Sequence, residues 1–448
     1  MLLTLIAKTF QGLEPILAKE LEKLGAEDIK ILNRAVSFEA PLELLYKANL
    51  CLRTALRIIH PLADEKVHNQ KELYEVARSI NWTRWFTPRN TFSIKSTVSN
   101  APNFNNSTFV SMKVKDAIVD QFRDYKGSRP SVDRENPDVR IEVRIFKNLC
   151  TISIDSSGDS LHRRGYRTGG HRAPINEVLA AGMVLMTGWD GTNTFLDPMC
   201  GSGTILTEAA MYAANIAPNL KRKTFGLHHW KNFDEKLWDK VWLEARVGTR
   251  DFDGAVMGSD ISKYAINEAR NNVVEAGVDE WIRLGVSSFA DRKIPKQAGT
   301  ILFNPPYDER LHIRDIEQFY KEIGDTLKQN YSGFEAWILT NNQRGVKRIG
   351  LRPSQRTVLY NGALECRLLK YELYKGRKDE EENKEVVKIK EEKVKTEQAK
   401  PKTSAPKPKA KTVADRDLEI AKEMKANGID LALIEKITGL SQATIETL

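Results

Sequence analysis

From about residue 172 to residue 374, short apolar strands alternate with helix-length segments, and this alternation restricts the fold more than any other feature of the chain. Helical periodicity covers 176–187, 204–214, 263–276 and 318–330, interleaved with strands at 194–196, 255–259, 300–303 and 336–340. Strands joined through helices run parallel, and the helices then cover both faces of the sheet. The expectation is therefore an α/β domain built on a doubly wound sheet. Two final strands, 355–360 and 366–374, have no helix between them, which predicts an antiparallel edge and a mixed sheet. In such sheets ligands bind beyond the carboxyl ends of the strands, so the residues that follow each strand are the ones to read for chemistry.

The first such stretch is Asp197-Pro198-Met199-Cys200-Gly201-Ser202-Gly203-Thr204, between an apolar strand and a helix. Its glycines permit a sharp turn and a close approach to a ligand, and the helix start offers unpaired N–H groups. A dinucleotide fingerprint would need a third glycine where Leu206 stands and an acid about 20 residues further on. The next acid at a strand end is Asp260. A phosphate-binding loop would need Gly-Lys-Ser/Thr, which does not follow. What remains is an acid-led glycine loop of the kind that holds the amino-acid end of S-adenosylmethionine, with Asp197 on its ammonium. A structural turn with no ligand is the competing reading. Cys200 lies inside this loop as a small buried residue rather than a nucleophile.

Asp260 ends the next strand and could accept hydrogen bonds from both ribose hydroxyls; as an alternative it caps the helix at 263–276. Phe289, after the strand that follows, could flank an adenine ring or belong to the core.

The sharpest stretch is Asn304-Pro305-Pro306-Tyr307, just past an apolar strand. The exocyclic amine of a base is a poor nucleophile because its lone pair is delocalised into the ring. The Asn304 side-chain oxygen and the Pro305 carbonyl can each accept one amine hydrogen, which aims the lone pair at a methyl donor. The rings of Pro305 and Pro306 stiffen the loop, and Tyr307 can stack on the base. Positioning supplies the rate, with no metal. The bland alternative is a rigid Pro-Pro turn.

Upstream, strand-like 2–9, helical 12–25, strand-like 29–40, helical 41–50 and strand-like 53–59 follow the order of a ferredoxin-like module, assigned to 1–65. A second unit, 66–161, has helices at 72–80 and 110–122, a strand at 92–98, and strands at 139–146 and 149–154 joined by Lys147-Asn148. The α/β domain is assigned to 162–375. Residues 376–412 are largely Lys, Glu and Pro and predict a disordered linker. Residues 413–448 predict a small helical tail, either helix-turn-helix-like or a plain hairpin.

Net charge is +9, from 69 basic and 60 acidic residues, which favours a polyanionic partner only mildly. Basic residues cluster in His162-Arg163-Arg164-Gly165-Tyr166-Arg167, where Arg163, Arg164 and Arg167 could meet phosphates or form an exposed linker. Arg310 could touch substrate or make a salt bridge. Trp230, Phe233, Trp238 and Trp242 sit in an insert before Asp260, for which packing is the default reading. The four cysteines are scattered with no metal-ligand spacing, no apolar run reaches membrane-spanning length, and the first residues read as a strand rather than a signal peptide. A cytoplasmic monomer with no metal and no membrane partner is expected.

Taken together, His162–Arg167, Ala173-Pro174-Ile175-Asn176-Glu177, Asp197–Thr204 with Glu208-Ala209-Ala210, and Asn304–Tyr307 with Glu309-Arg310-Leu311 resemble the THUMP-domain class I RNA methyltransferases of the bacterial 23S rRNA guanine-N2 type, over roughly residues 1–375. The resemblance implies a ferredoxin-like module, an RNA-binding THUMP domain and a Rossmann-like methyltransferase domain. It implies S-adenosylmethionine as cofactor, held by Asp197, Pro198, Cys200, Gly201, Ser202, Gly203, Thr204 and Asp260. It also implies a target guanine at Asn304–Tyr307, in 23S rRNA or a large-subunit assembly particle. A tRNA guanine, an adenine N6, or a non-catalytic assembly role are the other readings. The chain departs from the family at Ser287-Ser288-Phe289, where an acid for the adenine amine is usual; Asp291 comes later.

Overall fold

The computed structural model describes residues 2–167, 175–306 and 316–374, with 440, 441, 443 and 444 near the carboxyl end. Tyr307, Arg310, the linker at 376–412 and all but four residues of the tail lie outside the described residues. The chain divides into two compact units, Met1–Lys378 and Asp379–Leu448. The elements described here belong to the first.

The amino-terminal part runs β1 (Leu3–Lys8), α1 (Glu14–Leu24), β2 (Glu27–Leu32), β3 (Ala35–Ala40), α2 (Leu42–Cys51) and β4 (Arg57–Lys66). Helix α1 ends at Gly25, whose φ of 85° forms a left-handed cap. The next part runs α3 (Gln70–Ser79), β5 (Thr91–Ser99), α4 (Ser107–Lys126), β6 (Ser131–Val132), β7 (Val139–Phe146) and β8 (Leu149–Asp155). The two parts share one eight-stranded sheet, ordered β2-β3-β1-β4-β8-β7-β5-β6. The seam is the antiparallel β4–β8 pair, which runs from Ile59 against Asp155 to Lys66 against Leu149.

That seam moves the fourth strand. Periodicity places it at 53–59, whereas β4 is Arg57–Lys66. The backbone N–H groups of Arg53 and Thr54 donate to the Glu20 carboxylate (2.9 and 3.0 Å) and are lost to the sheet. The polar stretch His60–Lys66 shows no apolar alternation and is strand because β8 lies beside it.

The second sheet begins after α5 (Glu177–Thr187), which Asn176 caps through the Val178 N–H at 2.9 Å. Then come β9 (Thr194–Asp197), α6 (Thr204–Ala213), α7 (Glu235–Val247), β10 (Val256–Asp260), α8 (Lys263–Ala276), β11 (Ile282–Val286), β12 (Gly299–Phe303), α9 (Ile316–Asn330), β13 (Glu335–Thr340), α10 (Gln343–Val346), β14 (Gln355–Asn361) and β15 (Leu364–Glu372). The order is β11-β10-β9-β12-β13-β15-β14. The first five are parallel and the last two antiparallel, so the doubly wound mixed sheet is present, with β14 on the edge.

The insert between α6 and β10 packs away from the sheet that carries it. Phe225, Leu227, Trp230 and Val241 join the hydrophobic core of the amino-terminal sheet. Trp230 meets Trp85 edge-on at 5.1 Å, and Trp238 meets Tyr46 at 5.7 Å. Backbone bonds reinforce the contact, from Leu227 N–H to the Ser156 carbonyl (2.8 Å) and from Lys231 N–H to that of Trp85 (2.7 Å). In the opposite direction, Leu13 enters the core of the second sheet, where a Cβ on Gly182 would meet its methyl at 2.6 Å. The two sheets are thus locked by reciprocal apolar insertions. Among the described residues, no helix is long and apolar enough to cross a membrane.

Candidate active site

Strands β10 and β11 are added on one side of β9, and β12 and β13 on the other. Strand order therefore reverses between β9 and β12, which opens a crevice at their carboxyl ends. The glycine loop leaves β9 at this point, and Asn304 leaves β12. In the parallel β9–β12 pair Ile301 lies opposite Leu196. Adjacent strands are about 5 Å apart, so Asp197 and Asn304 flank one crevice.

The glycine loop is held by backbone contacts. Cys200 N–H donates to the Ser259 carbonyl (2.9 Å) and Gly203 N–H to that of Cys200 (2.8 Å). Gly201 and Gly203 have φ of 52° and 79°, a region costly for residues with a Cβ. The Asn272 side chain donates to the Ser202 carbonyl at 2.9 Å. Sequence reasoning missed Asn272. Its one signal was a polar residue on the buried stripe of α8, between Ala269 and Val273.

Asp197 is 1% exposed. Its Oδ1 accepts from Met199 N–H at 3.0 Å, and it forms no ion pair with a described residue. Burial pushes its carboxyl up to about 8; the Met199 N–H opposes this, the Asp260 charge adds to it, and Arg292 opposes it. Arg292, also missed, is partly buried, and burial lowers its pKa while Tyr331, Cys200 and Asp197 act against that. The Asp260 carboxylate is anchored at both oxygens, by Gly201 N–H (3.0 Å) and Ser262 N–H (2.9 Å). The cap of α8 is Ser262, whose hydroxyl accepts from Ala265 N–H. Asp260 is therefore not spent on capping and ties the end of β10 to the glycine loop.

Burial also drives the Cys200 thiol well above its ordinary range, consistent with a packing role. Thr204 and Ser202 are buried. Phe289 is buried in the core, stacked on Tyr331 at 5.3 Å and tilted against Phe303 at 5.7 Å. It stands as a core residue under the strand ends, so the adenine-flanking role has no exposed ring face to rest on. Where the family has an acid, the Ser288 hydroxyl donates to the Asp291 carboxylate at 2.6 Å.

The basic linker divides. Arg163 is exposed and, among the described residues, pairs with Asp159 at 3.6 Å. Arg164 is corrected: its side chain is 1% exposed, facing the fully buried Glu208 at 3.5 Å. It donates to the carbonyls of Leu161 and Arg53. A phosphate cannot reach it. Arg167 keeps part of its side chain exposed but is also engaged inward, pairing with the buried Glu177 at 3.1 Å and donating to the Thr204 hydroxyl at 3.1 Å. Both brace α6, the helix that the glycine loop opens, and Tyr166 joins them through Glu208 at 3.0 Å. Charge in the sequence suggested an exposed run; the acids that turn it inward lie 10 and 44 positions downstream of Arg167 and Arg164.

The residues present fit S-adenosylmethionine. A buried carboxyl with no ion pair to a described residue ends β9 at the crevice, and an anchored carboxylate stands at the neighbouring strand end. An ammonium would complete the first, and hydroxyls could use the second lone pairs of the other.

Comparison with known proteins agrees with this geometry. The RMKL-like methyltransferase domain family matches residues 164–370, the THUMP domain residues 67–155, and the RlmL ferredoxin-like domain residues 4–59. The C-terminal HTH domain of the Rpn/YhgA-like nuclease family matches residues 415–448. The protein slr0064 of Synechocystis sp., assigned as an RNA methyltransferase, is 41% identical over 82% of this chain and 96% of its own length. Ribosomal RNA large subunit methyltransferase K/L of Shewanella amazonensis is 40% identical over 81% of this chain and 52% of its own. The chain thus spans about half the length of that relative. The crystal structure of SMU.472, assigned as a methyltransferase and complexed with SAH, has a TM-score of 0.77 at 30% identity, covering 84% of this chain and 99% of that one.

Proposed function

The chain belongs to the THUMP-containing, RMKL-like family of S-adenosylmethionine-dependent methyltransferases, and on that premise we propose that it methylates the exocyclic N2 of a guanine in large-subunit ribosomal RNA. The observation that carries this reading is the reversal of strand order between β9 and β12, which sets Asn304 and Pro305 beside the glycine loop. The ribosomal substrate rests on the relatives named for the large subunit and on the THUMP match.

S-adenosylmethionine supplies an electrophilic methyl group on a positively charged sulfur. Asp197 binds the cofactor's ammonium, and Asp260 accepts from its ribose hydroxyls. Pro198, Cys200, Gly201, Ser202, Gly203 and Thr204 shape the wall between them. Asp291, folded onto Ser288, takes the place of the acid on the adenine amine. The Asn304 side-chain oxygen and the Pro305 carbonyl each accept one hydrogen of the guanine amine, and Tyr307 stacks on the ring. With S-adenosylmethionine bound, the amine nitrogen would gain a bond to the methyl carbon as the sulfur–carbon bond breaks, the sulfur would leave as a neutral thioether, and the nitrogen would shed one of its two protons to solvent. The protein's contribution is orientation. A paired target base has to be flipped out of its helix to reach this crevice.

Asn304→Ala is expected to lower methyl transfer about a hundredfold or more while S-adenosylhomocysteine still binds. Unchanged turnover would end this mechanism. Mass spectrometry of nucleosides from a deletion strain reads the base and atom directly. Loss of N2-methylguanosine from one large-subunit position is expected; loss of N6-methyladenosine, or of a tRNA modification, would replace the proposal.

A further inference from the structure

Beyond the end of β13 lies a cavity of about 550 Å³ lined by Asn341, Lys347, Arg352, Arg356, Glu365 and Arg367, among others. Four of these carry positive charge and one negative. None of the four cations forms an ion pair with a described residue, although nearby cations do: Arg348 with Glu317 at 2.5 Å and Lys370 with Glu335 at 2.8 Å. The one acid, Glu365, meets Tyr360 at 3.5 Å rather than any of the four.

The sheet register brings these residues together. Strand residues two apart share a face, so Glu365, Arg367 and Leu369 lie on one face of β15. Arg356 lies on the same face of β14, opposite Leu369. Arg367 pairs with Thr340, the last residue of β13. Phe303 of β12 pairs with Ile338, so Pro305 and Thr340 are each two residues further along adjacent parallel strands. Arg367 is thus two strand spacings, about 10 Å, from the loop proposed to hold the target amine. Lys347 and Arg352 complete the rim from the segment after β13.

Four cations against one acid leave a net positive cleft, and such an excess focuses the field on an incoming anion. Three of the four are arginines, whose planar forks match phosphate oxygens. We propose that this cavity binds the phosphodiester backbone of the RNA immediately flanking the target nucleotide. It is a second RNA contact, on the methyltransferase domain itself. The inference rests on the RNA methyltransferase reading above.

The test compares the full chain with the double variant Arg352→Ala/Arg356→Ala and with Arg352→Lys/Arg356→Lys. The probe is ribosomal RNA from a deletion strain, and affinity is measured across a salt series. The alanine variant is expected to lose tenfold or more in affinity, and the slope of log affinity on log salt should fall by roughly 0.7 per contact removed. Turnover at saturating RNA and binding of S-adenosylhomocysteine should be unchanged, and the lysine variant should recover much of the loss. Unchanged affinity and slope, with wild-type protein still methylating the RNA, overturns the cavity alone. A loss that lysine does not recover, with a wild-type slope, also overturns it. Wild-type protein that neither binds nor methylates RNA removes the underlying reading as well.

Discussion

Arg164 and Arg356 carry the same guanidinium in opposite surroundings. Arg164 stands in the most conspicuous basic run of the sequence and is buried against Glu208, with carbonyl oxygens around it. Arg356 stands in an unremarkable strand, and with Lys347, Arg352 and Arg367 it gathers into a cavity where no described acid pairs with it. Asp197 belongs with the second group, as a buried carboxyl with no ion pair to a described residue. The fold sets Arg164 and Arg167 against acids of opposite charge. It leaves Asp197 and the four cavity cations with no ion pair to a described residue, at the carboxyl edge of the second sheet, where ligands are expected. A density of charge in the sequence therefore marked the scaffold, and a scattered set marked the candidate binding surface.

Removing a charge from the first group should act on stability. Arg164→Ala leaves Glu208 buried without its cation, and about 3–5 kcal/mol of stability is expected to go, read by urea unfolding. The molecules that remain folded should bind RNA as wild type does. A large loss of RNA affinity with normal stability would dissolve the distinction between the two groups.

Removing one from the second group should act on ligands. Burial holds the Asp197 carboxyl up to about 8, above its unfolded value near 4. Its stabilising contribution is therefore full below about 4 and is lost as pH rises through 8. An ammonium beside it reverses that loss. S-adenosylhomocysteine should raise the melting temperature more at pH 8 than at pH 6 and bind about fivefold tighter at pH 8 than at pH 7. In Asp197→Asn binding should be weaker and the pH dependence absent. A pH dependence that survives the substitution would assign it to another group.

The smallest effect separates neighbours. Arg163 is adjacent to Arg164 and exposed. Arg163→Ala should change stability by less than about 0.5 kcal/mol. If it touches RNA, the salt slope falls by roughly one contact while the melting curve stays in place. A stability loss near that of Arg164→Ala would show that the linker is buried throughout.

Much of the fold was legible because its signals are local. Helical periodicity and the Lys147-Asn148 hairpin each depend on a few consecutive residues. The strand-end positions of Asp197, Asp260 and Asn304 followed from apolar runs that stop at a polar residue. The displaced β4 was not legible, because a polar stretch became strand through pairing with β8, about 90 residues away in the chain. The insert was read only as packed. That it packs on the amino-terminal sheet depends on Tyr46, Trp85 and Ser156, which no local pattern links to it.

By itself the sequence determined the alternation of strands and helices, the acid-led glycine loop and the proline-stiffened Asn304 loop, since each is a property of neighbouring residues and of the backbone conformations they allow. Only the tertiary structure decided which charges are spent and which are left over. An ion pair or a cavity is made by residues far apart in the chain, and whether a side chain meets a partner depends on register, burial and the path of the strands between them.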